Sequence, residues 1–214
     1  MKIRAAVLHE LGAEAPFADS QPLKIETLDL DPPGEGEIRV EIKAAGLCHS
    51  DLSVIDGSRP RPVPMALGHE AAGIVVELGP GVRDLAEGDH VVFVFVPSCG
   101  HCGPCASGRS ALCEPAFVAN GAGTLVSGAR RLHLNGADVH HHLGVSAFAE
   151  QAVVSRRSVV RMPQDLPFET SALFGCAVIT GVGAVVNTSK VEPGSTVAVV
   201  GLGGVGLNAL LGAR

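Results

Sequence analysis

The stretch SCGHCGPCASGRSALC, residues 98–113, carries four of the six cysteines in a chain of 214 residues. No other feature restricts the fold as much, because four sulfurs this close along the chain either converge or leave a loop with nothing to hold it. Cys99, Cys102, Cys105 and Cys113 follow a CxxCxxCx7C spacing. Gly100, Gly103 and Gly108 let the backbone turn tightly enough for convergence. The flanking Gly, Pro, Ser and His residues offer no apolar setting in which these thiols would be ordinary core side chains. Compartment then separates disulfides from metal ligands. The N-terminus MKIRAAVLHELG has no apolar run of signal-peptide length, and no stretch approaches the ~20 apolar residues that span a bilayer. A soluble, cytoplasmic protein is expected, and in a reducing cytosol clustered thiols serve metals or redox chemistry. Four thiolates suit tetrahedral zinc, with an iron–sulfur cluster as the competitor. Zinc held by four thiolates bears a net charge of about −2 and has no open position, which makes this a structural site. The chemistry is to be sought elsewhere.

The balance of 22 acidic against 16 basic residues, with no basic run, gives no electrostatic footprint for nucleic acid. Trp and Tyr are absent, so platforms for base stacking are scarce as well. Neither nucleic acid nor membrane is expected as a partner.

From residue 37, EIRVEIKAAG alternates Ile38, Val40 and Ile42 with charged neighbours, the period of a half-buried strand. LKIETLDL, AAGIVVELG, HVVFVFV and FAEQAVVS repeat the theme between Gly, Pro and Asp. A β-rich sandwich or barrel is expected. Near residue 167 the alternation gives way to helical spacing in PFETSALFGCAVITGVGAVV, with Pro167 suited to a first helical turn. STVAVVGLGGVGLNALLGAR then reads as an apolar strand, a glycine turn and the start of a helix, the opening of a parallel α/β unit. The boundary between the two regions is placed within residues 177–190.

Two cysteines remain, Cys48 in GLCHSD and Cys176 in FGCAV, together with the histidine of GHEAAGIVVELGPGV. Two thiolates and a neutral imidazole cancel the charge of zinc and leave its fourth position open, the condition for Lewis-acid chemistry. Singly, each residue has an ordinary explanation as a packed thiol or a satisfied polar group. Together the sequence resembles the zinc-dependent alcohol dehydrogenases of the medium-chain dehydrogenase/reductase family. GHEAAGIVVELGPGV matches that family's zinc signature, the four-cysteine lobe has its spacing, and GLGGVG falls where its dinucleotide domain begins.

The resemblance implies a β-rich GroES-like catalytic domain, a partly open barrel, over residues 1–177. The truncated start of an α/β Rossmann domain would follow over residues 178–214. It implies two zinc ions per chain. Cys48, His69 and Cys176 would ligate the catalytic zinc, a Cys2His set taken over from alcohol dehydrogenases, and Cys99, Cys102, Cys105 and Cys113 the structural one. Glu70 matches the carboxylate beside the metal. Asp51 is similar to the carboxylate that orients the ligating histidine, Ser50 to the hydroxyl that takes the substrate's proton, and Phe95 to a wall of the substrate pocket. Ser50 and Asp51 have a plainer alternative as caps of a helix beginning at SDLSV. NAD or NADP is implied as cofactor, with His49, Thr180, Gly201, Gly203, Val205 and Gly206 at its site. The glycines permit a tight turn and close approach of pyrophosphate to a helix N-terminus. Ser53 stands where some relatives carry a proton-relaying histidine. The triple histidine at 140–142 is expected to be a loop element and not a ligand set, since neighbouring side chains do not point to one centre. The expected function is hydride transfer between a small alcohol or aldehyde and NAD(P), in an enzyme that is a homo-oligomer at full length. This chain is expected to be its N-terminal portion, with activity of its own in doubt. The alternative is a zinc-binding module without turnover.

Overall fold

A computed structural model describes residues 1–214. Ten strands make up its β-rich body: β1 (Lys2–Leu8), β2 (Leu23–Leu30), β3 (Glu37–Gly46), β4 (Met65–Ala66), β5 (Glu70–Leu78), β6 (His90–Phe93), β7 (Leu132–Leu134), β8 (Ala137–His141), β9 (Gln151–Ser155) and β10 (Val159–Arg161). They form two sheets. One closes into a barrel in the order β1-β2-β7-β8-β4, and the other is an open sheet in the order β10-β6-β5-β3-β9. The expected partly open barrel is thus a closed barrel beside an open sheet. Closure depends on β4, which pairs antiparallel with β1 and parallel with β8 and so leaves that sheet no free edge.

The alternation in β3 works as the pattern predicts on one face. Ile38 and Val40 are fully buried in a cluster with Val75, Val91, Phe93 and Val154. Removing each such side chain from water is worth roughly 1.5–3 kcal/mol. Glu37 departs from the pattern, being 2% exposed. Its carboxylate accepts from Gly34 N–H at 2.8 Å, Ser127 Oγ at 2.7 Å and Arg131 Nε at 2.9 Å, so a charge the sequence would leave in water is satisfied inside.

The histidine run is only partly a loop, His142 lying in the bend after β8. His140 and His141 end β8, and His141 and His142 are each 1% exposed. The His141 Nε2 accepts the Arg131 backbone N–H at 3.0 Å, which requires a neutral ring, and burial pushes its pKa down to about 3. In the unfolded chain this group titrates near 6.5. The folded state therefore gains nothing from protonation as pH falls from about 6.5 toward 3, while the unfolded state does. Stability should decline there by up to about 1.4 kcal/mol per pH unit. Melting temperatures of the protein and of His141→Gln between pH 7 and pH 5 check this: the variant should show the flatter slope, and equal slopes would refute it.

One helix runs from Phe168 to Ser189, 22 residues, and an 18-residue stretch of it has mean hydropathy 1.6. By length and composition it would cross a membrane, contrary to the expectation that no stretch reaches that length. Its N-terminal part packs on the open sheet: Ala172 joins a cluster with Ala72 and Met162, and a Cβ at Gly175 would collide with the Phe93 carbonyl oxygen. Only glycine admits the helix this close to β6. The helix continues without a break through residues 177 and 178, and two stretches, Phe174–Val178 and Ala184–Ser189, are π-helical.

Residues 196–200, expected as a strand, have no sheet partner and are not a strand. A parallel strand is defined by its neighbours, and none lies alongside it here. The glycine turn and following helix do form, as Gly204–Ala213. Val200, Leu202 and Leu211 on this segment are exposed.

Candidate metal centres and active site

In the lobe of residues 98–113 the four sulfurs lie within 4.8 Å of one another, with Cys99 and Cys105 Sγ 3.9 Å apart. A tetrahedral ion about 2.3 Å from each sulfur sets neighbouring sulfurs about 3.8 Å apart, so the donor set fits zinc. Backbone N–H groups aim at the sulfurs: Cys102 N–H donates to Cys99 Sγ and Cys99 N–H to Cys113 Sγ, each at 3.2 Å. The Cys99 thiol is drawn down to about 6 by the backbone N–H groups of His101 and Cys102. None of the six cysteines is in a disulfide.

The second set is assembled from three distant elements. Cys48 caps the helix His49–Ile55, His69 ends the turn before β5, and Cys176 lies on the π-helical stretch. The turn requires Gly68, at φ 92°, where a Cβ would press on the Phe148 backbone nitrogen at 2.5 Å. Cys48 and Cys176 Sγ are 3.9 Å apart, and Cys176 Sγ is 3.6 Å from His69 Nε2. These spacings also fit a tetrahedral ion. The Glu70 carboxylate lies within the same 4.8 Å group and is 3% exposed, and burial raises its pKa. Cys48 is the thiol that ionises first: hydrogen bonds from Cys176 and His69 bring it down to about 3, while the neighbouring thiolate pushes Cys176 up.

Asp51 organises this centre. Its Oδ1 is 3.1 Å from His69 Nδ1 and accepts the Gly68 N–H at 3.2 Å, while Oδ2 accepts the Cys48 N–H at 3.3 Å. With Nδ1 engaged, His69 presents Nε2 to the two sulfurs. Capping and orienting are therefore done by the same side chain, and the cap itself is Cys48, not Ser50. His142 joins them unexpectedly: its Nδ1 is 3.1 Å from the same Asp51 oxygen, and its ring meets that of His69 edge to face at 5.4 Å. Burial of Asp51 favours its protonated form, but the imidazoles of His142 and His69 outweigh this and hold it well below the usual carboxylate range. Only the HHH run hinted at His142, and nothing local distinguished it from its neighbours.

A cavity of about 590 Å³ opens beside these ligands, lined by Ser50, His69 and Cys176 at one end and by Phe95, Leu112 and Phe117 along its walls. Phe95 meets the His69 ring edge to face at 5.5 Å. Leu112 and Phe117 belong to the cysteine lobe and the helix after it, Glu114–Ala122. The lobe thus shapes the pocket as well as holding a loop, which the spacing of its cysteines did not foretell.

Residues 34–164 match the family model for the alcohol dehydrogenase GroES-like domain. The chain belongs to this family. Among its curated relatives, this GroES-like chain is 43% identical over 215 residues to S-(hydroxymethyl)glutathione dehydrogenase of Synechocystis sp., with all of the chain and 56% of that relative covered. The same enzyme of Paracoccus denitrificans is 41% identical with the same coverage. Benzyl alcohol dehydrogenase from Acinetobacter calcoaceticus has a solved structure that superposes with a TM-score of 0.87 at 36% identity, over 100% of the chain and 55% of that protein. An alcohol dehydrogenase zinc-binding domain protein from Burkholderia ambifaria gives 0.90 at 38%, over 100% and 56%. The chain spans a little over half the length of these alcohol dehydrogenase relatives.

Among the residues expected around a dinucleotide, Thr180 and Val205 lie on two helices packed together, since a Cβ on Gly181 would meet the Val205 carbonyl oxygen. Gly201 has φ 93°, a Cβ at Gly206 would collide with the Gly201 carbonyl oxygen, and Gly203 caps the helix Gly204–Ala213. A turn of this kind at a helix N-terminus fits a pyrophosphate. Gly203, Val205, Thr180 and His49 are exposed.

Proposed function

We propose that this chain carries the catalytic site of a zinc-dependent oxidoreductase that moves a hydride between an alcohol and NAD or NADP. The observation behind the proposal is the convergence of Cys48, His69 and Cys176, with His69 Nδ1 held by Asp51, at the end of a largely apolar cavity. Zinc, when bound, supplies Lewis acidity toward the substrate oxygen, and the nicotinamide supplies or accepts the hydride. Cys48, His69 and Cys176 would hold the metal, and Asp51 fixes the tautomer of His69 so that Nε2 keeps its lone pair. Ser50 lines the cavity beside these ligands and is placed to accept the proton of a substrate hydroxyl. Ser53 offers no imidazole for onward transfer, so the proton leaves Ser50 by another route. Phe95, Leu112 and Phe117 line the cavity and favour an apolar substrate body. A cytoplasmic location accords with six free thiols in two metal-shaped clusters.

The alternative is a zinc module without turnover. Hydride transfer depends on holding the two reacting carbons in near contact. The test joins this chain at Arg214 to the remaining portion of the Synechocystis relative and follows reduced nicotinamide with primary and benzylic alcohols. Turnover of ~1 per second or more is expected, the low end for enzymes, and removing zinc should abolish it. The 214-residue chain alone should fall far below that rate. A zinc-loaded, folded chimera that oxidises no alcohol would leave the module reading in place.

A further inference from the structure

The cavity beside Ser50, His69 and Cys176 is apolar along most of its wall, yet two guanidinium groups, Arg59 and Arg61, stand on it. Both lie in the loop between the helix His49–Ile55 and β4. Neither is paired with a carboxylate, since every ion pair in the chain involves other residues. Glu114, the one carboxylate on the same wall, is paired with neither. Arg61 makes a single hydrogen bond, from Nη1 to the Asn120 carbonyl oxygen at 3.3 Å, and its Nε is buried without any partner. Arg59 is exposed, and its backbone N–H is bonded to the Ser53 carbonyl. Burial, and then the positive charge of Arg59, both weaken the hold of Arg61 on its proton.

Two like charges beside an apolar wall, one with a buried N–H that donates to nothing, are costly without a counter-charge. No carboxylate of the chain, Glu114 included, forms an ion pair with either. A guanidinium presents its N–H groups in the plane and spacing of a carboxylate, so a ligand carboxylate would satisfy both at once. We propose that the cavity selects alcohols whose apolar body ends in a carboxylate, with Arg61 and Arg59 binding that carboxylate while the hydroxyl lies beside Ser50. This deepens the oxidoreductase reading and rests on it.

Equilibrium binding to the zinc-loaded 214-residue protein tests it without turnover. The probes are 4-(hydroxymethyl)benzoate against benzyl alcohol, and ω-hydroxyalkanoates of six to ten carbons against 1-alkanols of equal length, followed by titration calorimetry at low salt. At least one carboxylate should bind ~10-fold or more tightly than its neutral counterpart, as hydrogen bonds to charged groups imply. Arg59→Met and Arg61→Met together keep the apolar reach, should erase that preference, and should leave the neutral alcohols within ~2-fold. Arg61→Lys on the Arg59→Met background should restore part of it. Equal binding of charged and neutral partners would overturn the proposal. So would a preference that survives in a folded double variant, because the carboxylate would then be going to the metal. The two readings can fail separately: neutral alcohols that bind equally with and without zinc count against the oxidoreductase, whereas zinc-dependent alcohol binding with no carboxylate preference sinks only the specificity.

Discussion

Replacing Cys105 by serine should lower the zinc content of the purified chain from two equivalents to one and its melting temperature by about 10 °C. Metal affinity at a site that does not exist in the unfolded chain is folding free energy. Losing about 3 kcal/mol of it shifts a protein of this size by roughly that much. The lobe has little else to hold it: Cys113 is buried, but residues 99–112 are half-buried or exposed, and the lobe is tied to the sheet by the Arg157 Nη1 hydrogen bond to the Ser98 carbonyl at 3.0 Å. Because Leu112 and Phe117 form the pocket wall, the same variant should also weaken binding of benzyl alcohol. Metal analysis with thermal melts reads both effects. An unchanged melting temperature, or visible absorption from iron and sulfide in the parent protein, would refute a structural zinc in this lobe.

Cys48→Ser should also remove one zinc, but with the opposite balance of consequences. Its helix is still capped in outline by Asp51, and the core cluster of Leu8, Val54, Met65 and Leu67 beneath it does not involve the metal. The melting temperature should therefore fall by only a few degrees, while turnover in the chimera should drop by 1,000-fold or more, about 4 kcal/mol of barrier. With its sulfur gone, Cys176 and His69 keep only the Glu70 carboxylate beside them, and the ion loses the thiol that ionises first. If Cys48→Ser collapsed the fold while Cys105→Ser left it intact, the two sites would be assigned the wrong way round.

The limits of reading this chain from its residues follow the range of the forces involved. The lobe could be read because its four ligands fall within a few turns of chain and glycine supplies the curvature. LKIETLDL and EIRVEIKAAG have the same ends as β2 and β3, because alternation is set by the two-residue period of the strand itself. Alternation says which face is apolar, but not which strand lies next door. Residues 196–200 have the composition of a strand and lack the neighbour that would make them one. Alternation alone would leave Glu37 in solvent, because its partners Ser127 and Arg131 come from the segment before β7, about 90 residues away.

What the sequence determined by itself was therefore the local chemistry: the donor types, the glycine turns, the apolar strand faces and the helix that begins after Pro167. Family resemblance supplied the pairing of Cys48 and Cys176, 128 residues apart, which no local rule reaches. Tertiary structure alone decided that His142 shares the Asp51 oxygen with His69, that the cysteine lobe walls the cavity, and that Arg59 and Arg61 line it without an ion-pair partner. Each of these depends on sheet order and on helix approach at Gly175. Those are set by packing between segments far apart in the chain, where one residue's identity carries no information about its neighbour.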